Sequence, residues 1–281
     1  MADAANDLRV NAICYFIVAT KVNVKTTRNA ASYDISIGRG SLKNAGEWAK
    51  SVMPGSSGRA AIISNRKVFG LYGNAVKKSL ENAGFEPHVQ LIGDGERFKN
   101  LRTLEDTLRF LSGSKFTRTD SIVALGGGVV GDLAGFAASV YLRGIDLLQV
   151  PTTLLSMIDS SVGGKTGVNS SFGKNLIGAF YQPRGVLIDT NTLLTLPERE
   201  VTAGFCEAVK QGAISDRSLL DKTAKILGQL EGRRLHERLG EDSFSENFAR
   251  FLAAQISFKA RIVAGDERES VAKTDARSRK I

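Results

Sequence analysis

Apolar and polar positions follow two rhythms in the first part of the chain. Residues 33–37, "YDISI", switch between apolar and polar and stop at Gly38 and Gly40, which predicts a half-buried strand. Residues 59–64, "RAAIIS", form a short continuous apolar run that reads as a buried strand, and residues 88–92 and 121–125 read as further strands. The segments between them are helical: residues 42–52, residues 68–83 ended by Gly84, and residues 101–111 with apolar side chains three and four apart. Strand alternating with helix predicts an α/β domain with a mainly parallel, Rossmann-like sheet.

The rhythm changes after Pro197. Strand-like runs stop, and residues 198–213, 218–230 and 246–264 all read as helix. This divides the chain into a leader over residues 1–23, an α/β domain over 24–197 and an all-α domain over 198–281. The last is expected to be incomplete, because "ARSRKI" breaks off with no capping glycine or polar tail.

Composition narrows the picture in a few respects. No apolar run reaches the roughly 20 residues of a membrane span. Residues 13–19 are too short and wrongly flanked for a signal peptide. Two distant cysteines, Cys14 and Cys206, point to a reducing compartment, hence the cytoplasm, and to no disulfide framework. The formal charge is +9, with basic residues scattered rather than clustered with aromatics. That favours a small anionic substrate over nucleic acid.

The stretch "IDSSVGGKTGVNSSFGKNLIGAF", residues 158–180, concentrates glycines, lysines, an aspartate and an asparagine. Gly164-Lys165-Thr166 looks like the end of a P-loop, but the first glycine of that motif would have to stand where Asp159 stands. After "SIVAL", Gly126, Gly128 and Gly131 fit G-x-G-x-x-G, which is a dinucleotide turn or a plain tight strand-to-helix turn. Asp146 has the distance of the usual ribose acid but begins its strand, so a dinucleotide here would not bind in the standard way. Residues 95–99, with Glu96 and Lys99, read as a ribose and phosphate contact or as a solvated loop. Glu207 and Lys210 share a helix face among apolar neighbours, as an ion pair or as a metal ligand beside a substrate-binding ammonium.

Five stretches together resemble 3-dehydroquinate synthase: "ALGGGVVGDLAGFAASVYLRG", "QVPTTLLSMIDSSVGGKTGVN", "GKNLIGAFYQP", "LIDTNTLLTLPEREVTAGFCEAVKQGAI" and "FKARIVAGDERE". The resemblance runs from about residue 24 to the last residue. It implies an NAD-binding α/β domain followed by a helical domain with a divalent metal, zinc or cobalt. The implied reaction converts 3-deoxy-D-arabino-heptulosonate 7-phosphate to 3-dehydroquinate and phosphate, in aromatic amino acid biosynthesis. It implies substrate contacts at Asp159, Lys165, Asn175, Lys210, Lys259 and Arg279. It also implies a homodimer in which Arg143 reaches the neighbouring subunit's site. Cofactor positions fall on Asn65, Glu96, Lys99, Gly127, Gly128, Asp132, Thr152, Thr153, Lys174 and Thr195, and the first metal ligand on Glu207. The family's two metal-binding histidines have no counterpart, since neither His88 nor His236 matches one. The expectation is weak zinc binding by a shortened chain. The competing readings are a sister sugar-phosphate cyclase and a non-catalytic NAD-binding fragment.

Overall fold

A computed structural model describes residues 18–25, 32–54, 58–215 and 217–265. Its centre is a seven-stranded sheet in the order β1-β2-β9-β6-β5-β3-β4. The strands are β1 (Val18–Lys25), β2 (Ser32–Gly38), β3 (Arg59–Asn65), β4 (Glu86–Ile92), β5 (Ser121–Gly126), β6 (Asp146–Pro151) and β9 (Gly185–Asp189). All neighbours pair in parallel except β1, which runs antiparallel to β2 along one edge. Two further strands, β7 (Lys165–Ser170) and β8 (Gly173–Phe180), form a separate antiparallel hairpin.

The helices are α1 (Ala45–Val52), α2 (Arg66–Val68), α3 (Asn74–Asn82), α4 (Leu101–Gly113), α5 (Gly128–Val140), α6 (Glu198–Ile214), α7 (Arg217–Gln229), α8 (Leu235–Arg238) and α9 (Asp242–Gly265). A π-helical stretch, Phe69–Gly73, joins α2 to α3, so the helix expected over residues 68–83 is locally unwound. The Asn100 side chain accepts from the Thr103 amide and starts α4.

Period-two alternation sorts the buried strand residues into two layers. Ala61, Ile63, Ile122, Ala124 and Leu147 pack against α4 and α5. Ala60, Ile62, Val123, Leu125 and Leu148 pack against α1 and α3 on the opposite face. With both faces covered, the central strands have no polar face to show, which explains the unbroken run in "RAAIIS".

The C-terminal helices cover the other half of the sheet. Val201, Phe205, Phe248, Leu252 and Ile256 share one core with Val22, Val24, Ile35, Val186 and Ile188. The helical segment therefore packs on β1, β2 and β9 without a break, and the division at residues 197 and 198 stands as a proposal about folding units. The leader assignment needs correction. Residues 18–23 lie in β1, where Val22 opposes Ile35 and Val24 opposes Tyr33. Lys21 and Asn23 alternate with those valines and face out, which hid the strand behind polar residues. Residues 1–17 lie outside the described residues.

Candidate active site

The chain runs outward from β3 to β4, then returns across β3 to begin β5, β6 and β9 on its other side. Such a reversal opens a crevice at the carboxyl ends of the flanking strands, here β3 and β5, and open α/β sheets bind ligands there. Most of the cofactor positions expected from the sequence follow a parallel strand's carboxyl end. Asn65 closes β3, Glu96 and Lys99 follow β4, Gly127, Gly128 and Asp132 follow β5, Thr152 and Thr153 follow β6, and Thr195 follows β9.

The turn after β5 is tight. Gly127 caps α5, and a Cβ there would stand 3.1 Å from the Thr153 methyl; one at Gly128 would stand 3.1 Å from the Ser160 hydroxyl. The α5 N-terminus and the segment after β6 thus approach across bare backbone, with the helix dipole's positive end pointing outward. Thr152 is buried and its amide donates to the Gly126 carbonyl (3.0 Å). The Thr153 hydroxyl bonds the Ser156 hydroxyl (2.8 Å). Asn65 is engaged twice, accepting from the Val68 amide (2.8 Å) and donating to Asp94 (3.0 Å). Thr195 bonds the Tyr72 hydroxyl.

A cavity of about 550 Å³ opens beside this turn. Asp132, Asp159, Lys165, Asn175 and Lys259 contribute to its walls, from α5, the segment after β6, β7, β8 and α9. Lys259 pairs with Asp159 at 2.7 Å. Lys99 is buried and reaches two partners, Asp132 at 2.5 Å and the Asn175 side-chain oxygen at 2.6 Å. The sequence left open a solvated loop at Lys99, and its burial removes that reading. Burial pushes the Asp132 carboxyl up to about 6, against the opposite pull of the Lys99 ammonium. A neighbouring depression of about 590 Å³ carries Glu96, Lys99 and Lys174.

Other expected positions lie apart from these walls. Glu207 and Lys210 pair with each other at 3.3 Å and do not line the cavity. Glu207 is mostly covered and Lys210 half exposed, while Cys206 and Val209 are exposed, so the apolar surroundings expected of the pair are only partial. Gly204 and Gln211 hold α6 against the segment after β6. A Cβ on Gly204 would stand 2.5 Å from Leu154, and the Gln211 side chain donates to the Ile158 carbonyl (3.1 Å). Glu207 lies between them on that helix face. Arg143 is exposed, with a left-handed φ of 67°. Arg279 lies outside the described residues. His88 pairs with Glu86 at 2.9 Å and His236 with Glu198 at 3.8 Å. Among the described residues, no three His, Cys, Asp or Glu side chains gather as a metal site.

The stretch at residues 158–180 is not a P-loop. Gly163 and Gly164 have φ of 101° and 67°, and Lys165 begins a strand rather than a helix. The hairpin itself escaped the sequence reading. Its tightest point is Gly178 opposite Gly167, where a Cβ on Gly178 would stand 2.0 Å from the Thr166 carbonyl.

The family model described as the N-terminal part of 3-dehydroquinate synthase matches residues 89–203. A 3-dehydroquinate synthase of Streptococcus thermophilus (strain CNRZ 1066) is 46% identical over 249 residues, covering 89% of this chain and 66% of the relative. That of Citrifermentans bemidjiense is 46% identical over 256 residues, covering 90% and 66%. The chain thus spans just under two thirds of the length of these curated relatives. Among solved structures, a 2-deoxy-scyllo-inosose synthase complexed with carbaglucose-6-phosphate, NAD+ and Co2+ is 27% identical. Its TM-score is 0.71, with 87% of this chain and 62% of that one covered. A 2-epi-5-epi-valiolone synthase from Streptomyces hygroscopicus subsp. jinggangensis, with NAD+ and Zn2+ bound, is also 27% identical, with a TM-score of 0.70, covering 88% and 65%. Over the matched length, the chain belongs to the 3-dehydroquinate synthase family.

Proposed function

We propose that this chain carries the cofactor-binding and phosphate-binding part of a 3-dehydroquinate synthase. The reaction would convert 3-deoxy-D-arabino-heptulosonate 7-phosphate to 3-dehydroquinate and phosphate, a lyase step in the shikimate route. The observation that carries the reading is the convergence of Asp159, Lys165, Asn175 and Lys259 on one cavity beside the glycine turn. Two ammonium groups, a carboxylate and a carboxamide suit a ligand bearing both anionic groups and hydroxyls. The 46% identity to curated 3-dehydroquinate synthases, against 27% to the sister cyclases, favours this substrate.

The crevice fits a dinucleotide. Its glycine turn presents bare backbone to a pyrophosphate, while Glu96, Lys99 and Asp132 offer polar contacts. Bound NAD would supply a hydride acceptor that returns the hydride within the same turnover. Lys165 and the amide of Asn175 would hold the phosphate, as a point charge and a neutral donor. Lys259 would meet the substrate carboxylate, releasing Asp159 to accept from sugar hydroxyls. Arg143, exposed on its turn, would reach a second copy's site in a homodimer. The described residues supply Glu207 as one carboxylate toward a divalent metal but no set of three ligands. No described helix is long and apolar enough to cross a membrane.

The test is phosphate release from 3-deoxy-D-arabino-heptulosonate 7-phosphate, with NAD+ and with or without added zinc. The expected result is release that Lys165→Met reduces by at least about 100-fold, on the scale of a lost charged contact to the reacting group. Release unaffected by Lys165→Met would overturn the assignment.

A further inference from the structure

Asn169 was not singled out by its sequence, yet it joins the two halves of the site. Its backbone amide donates to the Lys99 carbonyl at 2.8 Å, and it bridges to Asn100. Its side-chain NH2 donates to the Glu96 carboxylate at 2.7 Å. Its side-chain oxygen accepts the Asn175 backbone amide at 2.9 Å. Asn175 adopts a left-handed φ of 57°, which is uncommon for a residue with a side chain and persists where surrounding bonds enforce it.

The Asn175 side chain is oriented too. An ammonium can only donate, so the 2.6 Å contact with Lys99 must be made by the Asn175 oxygen. Its NH2 is then the end turned over to an anion in the cavity. Asn169 holds the Asn175 backbone, and Lys99 fixes the amide. Glu96, whose own partner is Asn169, belongs to the neighbouring depression.

We infer that Asn169 is a positioning residue that ties the Glu96 side of the site to Asn175, and so presents the Asn175 amide to a phosphate. This rests on the phosphate role proposed above for Asn175. A clamp of this kind depends on which partner donates. Asn169→Asp keeps the acceptor for Asn175 but sets a carboxylate against Glu96, breaking the link. Asn169→Asp combined with Glu96→Gln restores one donor and one acceptor in exchanged places, with the original net charge.

The experiment is calorimetry of inorganic phosphate binding to the protein, with thermal melts to verify folding of each variant. Asn169→Asp is expected to weaken phosphate about tenfold, as is Asn169→Ser, which loses both side-chain bonds. The double variant is expected to return within about threefold of the original affinity. A purely structural role would not predict rescue by exchange. A folded Asn169→Asp that binds phosphate normally, or a folded double variant without rescue, overturns the clamp alone. Failure of the unmodified protein to bind phosphate overturns the clamp together with the phosphate role it rests on.

Discussion

The Asp132 carboxyl is the residue on which burial and charge contend most openly. Its pKa, pushed up to about 6, lies above the ordinary aspartate value of about 3.9. Between those limits the folded state binds more protons than the unfolded chain. Its contribution to stability is therefore fully present below about pH 4 and lost as pH rises through about 6. Urea unfolding at pH 4 and pH 7 should show that Asp132→Asn removes this part of the pH dependence. Lys99→Met should take away the opposing ammonium and leave a covered carboxylate unpaired. The expected cost is about 3 kcal/mol at pH 7 by urea denaturation, with the Asp132 titration, followed by NMR, moving higher still. Little of this was readable in advance. Lys99 looked like a loop lysine because its burial depends on Asp132 and Asn175, which come from 33 and 76 positions away.

Single elements were legible where one local pattern decided them. The runs at 59–64 and 121–125 became β3 and β5 because an apolar strand with Gly or Asn at its end admits few alternatives. The β7–β8 hairpin was missed because Gly167, Gly173 and Gly178 interrupt any apolar alternation, and its pairing depends on close backbone approach rather than side-chain burial. The seating of α6 likewise turns on a missing side chain. Gly204→Ala should force α6 away from Leu154 and lower stability by about 1–3 kcal/mol. Gly228→Ala in α7 serves as the control. A Cβ there meets nothing within 4 Å, so the substitution should be stabilising by up to about 1 kcal/mol. Thermal and urea melts of the two variants would check both signs.

Across the whole molecule, the order of strands matters more than any motif. The fingerprint at Gly126–Gly131 could equally have been a turn with no ligand; the reversal between β3 and β5 places it at a crevice. The sequence could not show this, since strand order is set by long-range pairing. Nor could it show that the C-terminal helices share a core with β1, β2 and β9, because Val22 and Val24 carry no local sign of what covers them. The crevice between β3 and β5 is the proposed site for NAD. Calorimetric titration of NAD+ into the protein tests that most directly. One saturable site per chain is predicted, weakened by Lys99→Met in a variant that still melts cooperatively. Folded protein that takes up no NAD+ would contradict that assignment.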